Sequence, residues 1–414
     1  MKYVIQSLIF NKIKMKQYLL TLIFTTTLPC FHSAFAQQNF SFNAGAAQQE
    51  HYFTTIAYKE LNGKLVMEAE INNKTYHFIL DTGAATTITQ KLFNELDAKV
   101  LTKMPVSDQS NIVDTVTIAS LDNIKLGDVT FKDTPVFVVT ETLLFDCFKV
   151  DGLIGSNLLR NSVLQISSKN NTITITNDPK PLKLKRKYST KMDLNAIQSN
   201  PFIWVTFRNG NTTGRDYPLI DTGMDGFYDL SIKAYQEVFS TVDLFKVIAE
   251  ATGSFSYGLH GISQQQLHYQ VFAPQLELSN STFNNITTTT THGESSRIGS
   301  DIFKYGLVTL DYANKKFYLE PYLQNAVDLS EISWPLQPST DGDKVIVGVI
   351  WDKELATKIK VGDEILQFGT IDFTTKTICD VFTSSSKQIE ATTATLVTKD
   401  AVTGEVKRTE VTKR

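Results

Sequence analysis

The stretch Phe78-Ile79-Leu80-Asp81-Thr82-Gly83-Ala84 is echoed 140 positions later by Pro218-Leu219-Ile220-Asp221-Thr222-Gly223-Met224. An apolar run that stops at Asp-Thr-Gly predicts a buried strand handing a carboxylate to a tight turn, because glycine tolerates backbone angles and close approaches that a side chain forbids. At average residue frequencies the triplet arises on the order of once in a few thousand positions. One copy would read as an ordinary strand-end turn, since Asp and Gly are common turn residues. Two copies with the same apolar approach require another explanation.

The surroundings repeat as well. Upstream of the first copy, Leu65, Met67, Ala69 and Ile71 alternate with Val66, Glu68 and Glu70, and Asn72-Asn73 turns the chain into the strand that ends at Asp81. Upstream of the second, an apolar strand is expected from Phe202 to Phe207, Asn209-Gly210 is a turn signal, and Tyr217 to Ile220 leads into Asp221. Downstream, Ile88 to Phe93 parallels Leu230 to Tyr235, and Ile124 to Phe131 parallels Leu276 to Phe283. Ile154-Gly155-Ser156-Asn157 then parallels Ile298-Gly299-Ser300-Asp301, each followed by strands with a polar turn, Leu164 to Ile175 and Val308 to Leu319. A unit this long exceeds the period of solenoid repeats. The chain is read as two copies of one β-rich lobe, residues 37–180 and 181–325.

Lys12, Lys14 and Lys16 precede an apolar run from Tyr18 to Phe31, and Ala34-Phe35-Ala36 has the small-x-small form of a cleavage site. Residues 1–36 are therefore expected to be a signal peptide for export, periplasmic or extracellular. The run is too short, and too interrupted by Thr25-Thr26-Thr27 and Pro29, for a stable membrane span. Thr27-Leu28-Pro29 before Cys30 is a poor acylation signal. Beyond that leader only Cys147 and Cys379 remain, in different predicted domains, so a disulfide framework is not expected to hold the fold together.

A content of 42% hydrophobic and 11% aromatic residues over 414 positions fills more than one core. Lys plus Arg of 40 against Asp plus Glu of 43 leaves a net charge of −3, which offers nucleic acid no basic footprint. The dense basic run Lys180, Lys183, Lys185, Arg186 and Lys187 surrounds Pro181 between the repeats and reads as a solvated linker. His51, His77, His260, His268 and His292 show no ligand spacing, so no metal or other cofactor is expected.

Short alternating runs of Thr, Val, Ile and Phe predict antiparallel β-structure with few helices. The glycine-spaced segment Gly253 to Gly261 reads either as a mobile hairpin covering a cleft or as a plain surface loop; its counterpart, Val106 to Val116, has no glycine. After Pro321 the repeat ends. Residues 333–414 form a third unit, with a strand from Lys344 to Trp351, a helical stretch from Asp352 to Lys360, the turn Val361-Gly362-Asp363-Glu364-Ile365-Leu366, and strands from Ala394 to Thr398 and Glu405 to Val411.

Two apolar-led Asp-Thr-Gly turns, each followed by an aliphatic-Gly element (Leu153-Ile154-Gly155, Ile298-Gly299), resemble the retropepsin-like aspartic peptidases, here as two tandem lobes in one chain. The last unit resembles a PDZ domain, with Ala356 to Leu366 matching its helix and Gly-Asp turn. The fold class implied is mostly β: two duplicated acid-protease β-barrel lobes forming a bilobal cleft, plus a C-terminal α+β PDZ-like domain. The resemblance further implies that the turns meet at a pseudo-twofold axis, that a peptide or unfolded protein lies in the cleft, and that Asp81 and Asp221 are the catalytic pair. Thr82 and Thr222 would hydrogen-bond across the axis, and Gly83 and Gly223 would keep the backbone close. Asp225 stands where retroviral members carry an Asp and could hydrogen-bond substrate backbone; Ala85 in the first copy offers no equivalent.

Peptide hydrolysis needs a nucleophilic water and a protonated leaving nitrogen. Two carboxylates in contact supply both, because like charges so close cannot both ionise easily and the pair shares one proton. The roles alternate between Asp81 and Asp221, and the sequence does not say which begins as the acid. Pepsin-like enzymes usually carry a hydroxyl residue after each Asp-Thr-Gly that helps hold the carboxylate ionised. Ala84 and Met224 lack it, so the dyad is expected to titrate higher and to work nearer weakly acidic or neutral pH. Ser339 to Asp343 lacks the aliphatic-Gly-aliphatic loop with which peptide-binding PDZ domains take a terminal carboxylate, so docking or substrate positioning is at least as good a reading of that unit. Two classes of function stay open: an exported aspartic endopeptidase, or a noncatalytic peptide-binding or scaffold protein with a degenerate cleft. A serine hydrolase or zinc peptidase finds no motif here.

Overall fold

Asn72 and Asn73 both take left-handed φ angles, 52° and 64°, and join the strand Lys64–Ile71 to the strand Lys74–Asp81. The two run antiparallel from Val66 opposite Ile79 to Ile71 opposite Lys74. Leu65, Met67, Ala69 and Ile71 are all buried, as a period of two requires of one face. The computed structural model describes residues 41–108, 112–140, 142–258, 260–383 and 389–414. The expected signal peptide, with Cys30, lies outside them.

The same three-strand unit surrounds each Asp-Thr-Gly. Phe78 to Asp81 pairs in parallel with Gly152–Gly155, and Gly152-Leu153 pairs antiparallel with Ile88 and Thr87. In the second repeat Leu219–Ile220 pairs in parallel with Arg297–Ile298, which pairs antiparallel with Tyr228 and Asp229. The aliphatic-Gly elements are explained by the closeness of this packing. A Cβ on Gly155 would lie 2.4 Å from the Ala84 carbonyl oxygen, and one on Gly299 would lie 2.5 Å from that of Gly226.

One sheet runs through both repeats. Phe53–Leu61 is followed by Thr172–Thr176, Val163–Ser167, Gly306–Asp311, Lys316–Pro321 and Ser189–Leu194, each antiparallel to the next. Leu164 opposes Leu310 at its centre, both fully buried in a core that draws on the two repeats together. Each such leucine contributes roughly 1.5–3 kcal/mol relative to exposure, so the halves are not separable without opening apolar surface.

Each repeat also carries a long hairpin, Lys99–Ser107 with Val113–Leu121 in the first and Lys246–Gly253 with Gln266–Leu278 in the second. The glycine-spaced segment lies between the last two strands and touches the other hairpin: the His260 amide donates to Asp108 Oδ2 at 3.1 Å, and its ring Nε2 is 3.0 Å from the Val106 carbonyl. Val106 and Asp108 of the glycine-free hairpin thus meet His260 of the glycine-rich one.

The C-terminal residues build a separate sheet in the order Leu336–Asp341, Lys344–Ile350, Glu364–Phe368, Thr393–Lys399, Val406–Thr412, with its own core of Leu336, Val347, Ile365, Phe368 and Leu396. Among its ties to the repeats, two stand out. Ser254 donates its amide to the Gly348 carbonyl at 3.1 Å, where a Cβ on Gly253 would lie 2.1 Å from that same oxygen. On the other side Cys379 forms a disulfide with Cys147 of the first repeat. This corrects the sequence reading: the two cysteines, 232 positions apart, bridge two units, and only the packing of helix Ile378–Thr383 on helix Leu143–Phe148 brings them together.

Three local expectations also change. The apolar strand expected from Phe202 to Phe207 is two strands, Pro201–Ile203 and Val205–Asn209, because Trp204 faces outward and stacks on Tyr217 and Arg215. The helical stretch from Asp352 to Lys360 is a single 3-10 turn, Leu355–Thr357. The strand Leu336–Asp341 and helix Ile378–Thr383 were not anticipated, since each is only six residues long, too short to show a period. Among the described residues no helix is long and apolar enough to cross a membrane.

Candidate active site

Asp81 ends its strand in register with Gly155, and the amide of Asp221 donates to the Ile298 carbonyl at 2.9 Å. Both turns are thereby locked to the aliphatic-Gly strand of their own repeat. They then lock to each other. Thr82 Oγ1 donates to the Ile220 carbonyl at 2.6 Å and accepts the Thr222 amide at 3.1 Å, while Thr222 Oγ1 donates to the Leu80 carbonyl at 2.8 Å and accepts the Thr82 amide at 3.0 Å. Both threonines are fully buried. Four reciprocal bonds with no water access fix the separation of the turns, and each would leave an orphaned buried group if broken.

This clasp brings the carboxyls together. A Cβ on Gly83 would lie 2.6 Å from Asp221 Cγ, and one on Gly223 would lie 2.4 Å from Asp81 Cγ. Each carboxyl thus rests against the glycine of the opposite turn. Burial, then the Asp221 charge, pushes the Asp81 carboxyl up to about 7. Such a pair holds a proton at pH values where an isolated carboxylate has lost it.

The donors around the dyad are unequal. Asp81 Oδ1 accepts the Gly83 amide at 2.9 Å. Asp221 Oδ1 accepts two amides, Gly223 at 3.0 Å and Met224 at 3.1 Å, and its Oδ2 receives Arg297 Nη1 at 3.3 Å. Arg297 also binds Asp229 Oδ2 through Nε at 3.0 Å and Nη2 at 2.5 Å. Burial disfavours the guanidinium charge, but Asp229 and then Asp221 outweigh it and hold the group protonated. Asp229 itself is raised, by burial first, with Arg297 opposing.

Arg297 was missed by the sequence reading, although a signal was present. Set beside its counterpart, Leu153-Ile154-Gly155 aligns with Arg297-Ile298-Gly299, and a charge replacing an aliphatic residue in a buried parallel strand marks a special site. Lys64 was missed as well. Its Nζ donates to the Gly223 carbonyl at 2.5 Å and pairs with Asp225 Oδ1 at 3.4 Å, reaching from the first repeat to the second turn. Lys64, opposed by the loss of solvent close to the turn, draws the Asp225 carboxyl below its usual range. Asp225 keeps a largely exposed side chain next to the turn.

A second layer supports Thr82. Its carbonyl accepts Asn200 Nδ2 at 3.0 Å and Ser156 Oγ at 2.7 Å, and that hydroxyl lies 2.9 Å from the buried Tyr312 hydroxyl. Asn157 Oδ1 takes the Thr86 amide and hydroxyl at 2.7 and 2.9 Å. The serine and asparagine of the Ile-Gly-Ser-Asn element thus hold the loop that carries Asp81.

A family model described as Aspartyl protease matches residues 67–158, which include the first Asp-Thr-Gly and the Leu153-Ile154-Gly155 element. No curated protein matches the chain. Among solved structures the chain is similar to a retropepsin-like aspartic protease from Rickettsia conorii, at 18% identity over 32% of this chain and 94% of the other, with a TM-score of 0.23. It is also similar to conglutin gamma, a basic 7S globulin from lupine seeds, at 13% identity over 68% of this chain and 99% of the other, with a TM-score of 0.40.

Proposed function

We propose that this chain is an exported aspartic endopeptidase that hydrolyses peptide bonds in peptides or unfolded proteins, with Asp81 and Asp221 as the catalytic dyad and the two repeats as the lobes of its cleft. The observation that carries this reading is the seating of each carboxyl against the glycine of the opposite turn. Two aspartates so placed share one proton, so one can take a proton from water while the other supplies one. Thr82, Gly83, Thr222 and Gly223 hold that geometry, and Asp225 offers its exposed carboxylate to substrate backbone. The residues after each turn, Ala84 and Met224, add no hydroxyl, and the raised Asp81 carboxyl supports work at weakly acidic to neutral pH. The C-terminal unit, read as PDZ-like, is assigned a docking or positioning role.

Degradation of a reduced, alkylated protein across pH 3–8, with Asp81→Asn and Asp221→Asn as controls, tests the proposal. Cleavage by the wild type that is lost in both variants supports it. Peptide binding by all three without cleavage would instead favour the noncatalytic scaffold.

A further inference from the structure

Arg297 occupies a position that the first repeat fills with Leu153, and its cross-strand neighbour Asp229 stands where the first repeat has Thr87. The duplication therefore departs from symmetry at the two residues beside the dyad. The departure is costly in isolation: a guanidinium and a carboxylate, each with a side chain only 14% exposed, are buried as a pair. A buried ion pair is weak as a source of stability compared with well-packed apolar residues, and the first repeat shows that the strand geometry accommodates apolar and neutral residues here. Its placement has a different consequence.

We infer that Arg297 is a positioning residue that places the negative charge of the dyad on Asp221 and leaves the shared proton on Asp81. Three donors converge on Asp221, the Gly223 and Met224 amides and Arg297 Nη1, against the single Gly83 amide on Asp81. Hydrogen bonds and a cation both favour the ionised form. The charged groups facing the pair are Asp81, Asp221, Asp229, Arg297 and Lys64; Lys64 pulls the other way, favouring ionised Asp81, but its ammonium is bonded to the Gly223 carbonyl and paired with Asp225, whereas Arg297 contacts the Asp221 carboxyl directly. Asp229 orients the guanidinium through two of its nitrogens, leaving the third for Asp221.

This assignment rests on the endopeptidase reading and completes its proton path. Asp221 takes a proton from water as the water oxygen bonds to the carbonyl carbon, and the Asp81 proton passes to the carbonyl oxygen. The gem-diol then collapses: Asp221 returns its proton to the leaving nitrogen as the C–N bond breaks, and one hydroxyl proton goes back to Asp81. The products are a carboxylic acid and an amine, with the dyad in its starting state.

The test pairs pH–rate profiles with a measurement that needs no turnover, titration of 13C-labelled aspartate carboxyls in the intact protein. Replacing the buried pair together, Arg297→Leu with Asp229→Leu, avoids stranding one charge. The acid limb of kcat/KM then moves up by about 1–3 pH units, the size of a removed cation within contact range. Asp229→Asn, which frees the guanidinium for Asp221, moves the same limb down, and Arg297→Lys falls between. In the wild-type carboxyl spectra the proton lost last belongs to Asp81, and the Leu/Leu variant spreads it over both aspartates. Limbs that stay put in both variants, or a last proton on Asp221 in the wild type, overturn the inference. Absence of hydrolysis with the expected carboxyl spectra sinks the endopeptidase reading alone.

Discussion

Gly83 and Asp221 come from opposite repeats, yet a methyl group on the first would lie 2.6 Å from the carboxyl carbon of the second. The mirror contact, Gly223 on Asp81, is tighter still at 2.4 Å. Any side chain at either glycine must push the carboxyls apart. Gly83→Ala and Gly223→Ala are expected to lower kcat/KM by at least about 100-fold, because a misplacement near 1 Å at reacting groups costs that much. Overpacking would also take roughly 1–3 kcal/mol from stability. Near-normal turnover in either variant would show that the carboxyl contact is not needed.

Thr82→Val keeps shape and removes a hydroxyl that donates to Ile220 and accepts from Thr222. The orphaned buried groups cost about 1–3 kcal/mol each, and Thr222→Val does the same through Leu80 and the Thr82 amide. Urea unfolding should show a lower midpoint for each single variant. The double variant should lose less than the sum of the singles, since both remove one clasp.

The raised Asp81 carboxyl makes a signed pH prediction. The folded state holds the proton up to about 7, while the unfolded chain loses it near the ordinary value of 3.8. The folded state therefore binds more protons between those values, so this group's stabilising contribution is complete below pH 3.8 and is lost as pH rises through about 7. Asp81→Asn should remove that component of the stability-versus-pH curve. Activity should likewise fall through pH 7 as the proton leaves, and a rate maximum near pH 2 would contradict this account.

Lys64→Met removes a cation that favours ionisation of Asp81. The basic limb of the rate profile should move to higher pH. Loss of the bond to the Gly223 carbonyl, a charge-assisted contact between repeats, should cost roughly 1.5–3 kcal/mol in thermal or urea unfolding.

Cys147→Ser, or reduction by dithiothreitol, should loosen the C-terminal unit without unfolding its separate core. A cross-link closing so long a loop contributes about 2–5 kcal/mol. Phe382 is held by Asn62, whose Nδ2 donates to its carbonyl at 2.8 Å, and by the Tyr257 ring at 5.4 Å. Hydrogen exchange at Ile378–Thr383 should rise on reduction, and unchanged protection there would mean that packing alone anchors the helix.

Residues 64–81 show why so much could be read in advance. A strand buried on one face has to alternate, a reversal at Asn72-Asn73 needs left-handed angles, and a strand end carrying Asp-Thr-Gly needs a turn. Each of these is a local requirement that leaves its mark on neighbouring letters, and duplication doubled the signal. The sequence alone therefore determined the β-rich repeat, the paired turns and the separate C-terminal unit. It could not reveal that Arg297 reaches Asp221, that Lys64 crosses to Gly223, that His260 meets Asp108, or that Cys147 bonds to Cys379. Those contacts join residues from different strands, and which charge lands beside which depends on register and on how one half docks against the other. Only the folded chain decided them, because side-chain distance across a sheet or between sheets is a property of the packing and of no single stretch of the polymer.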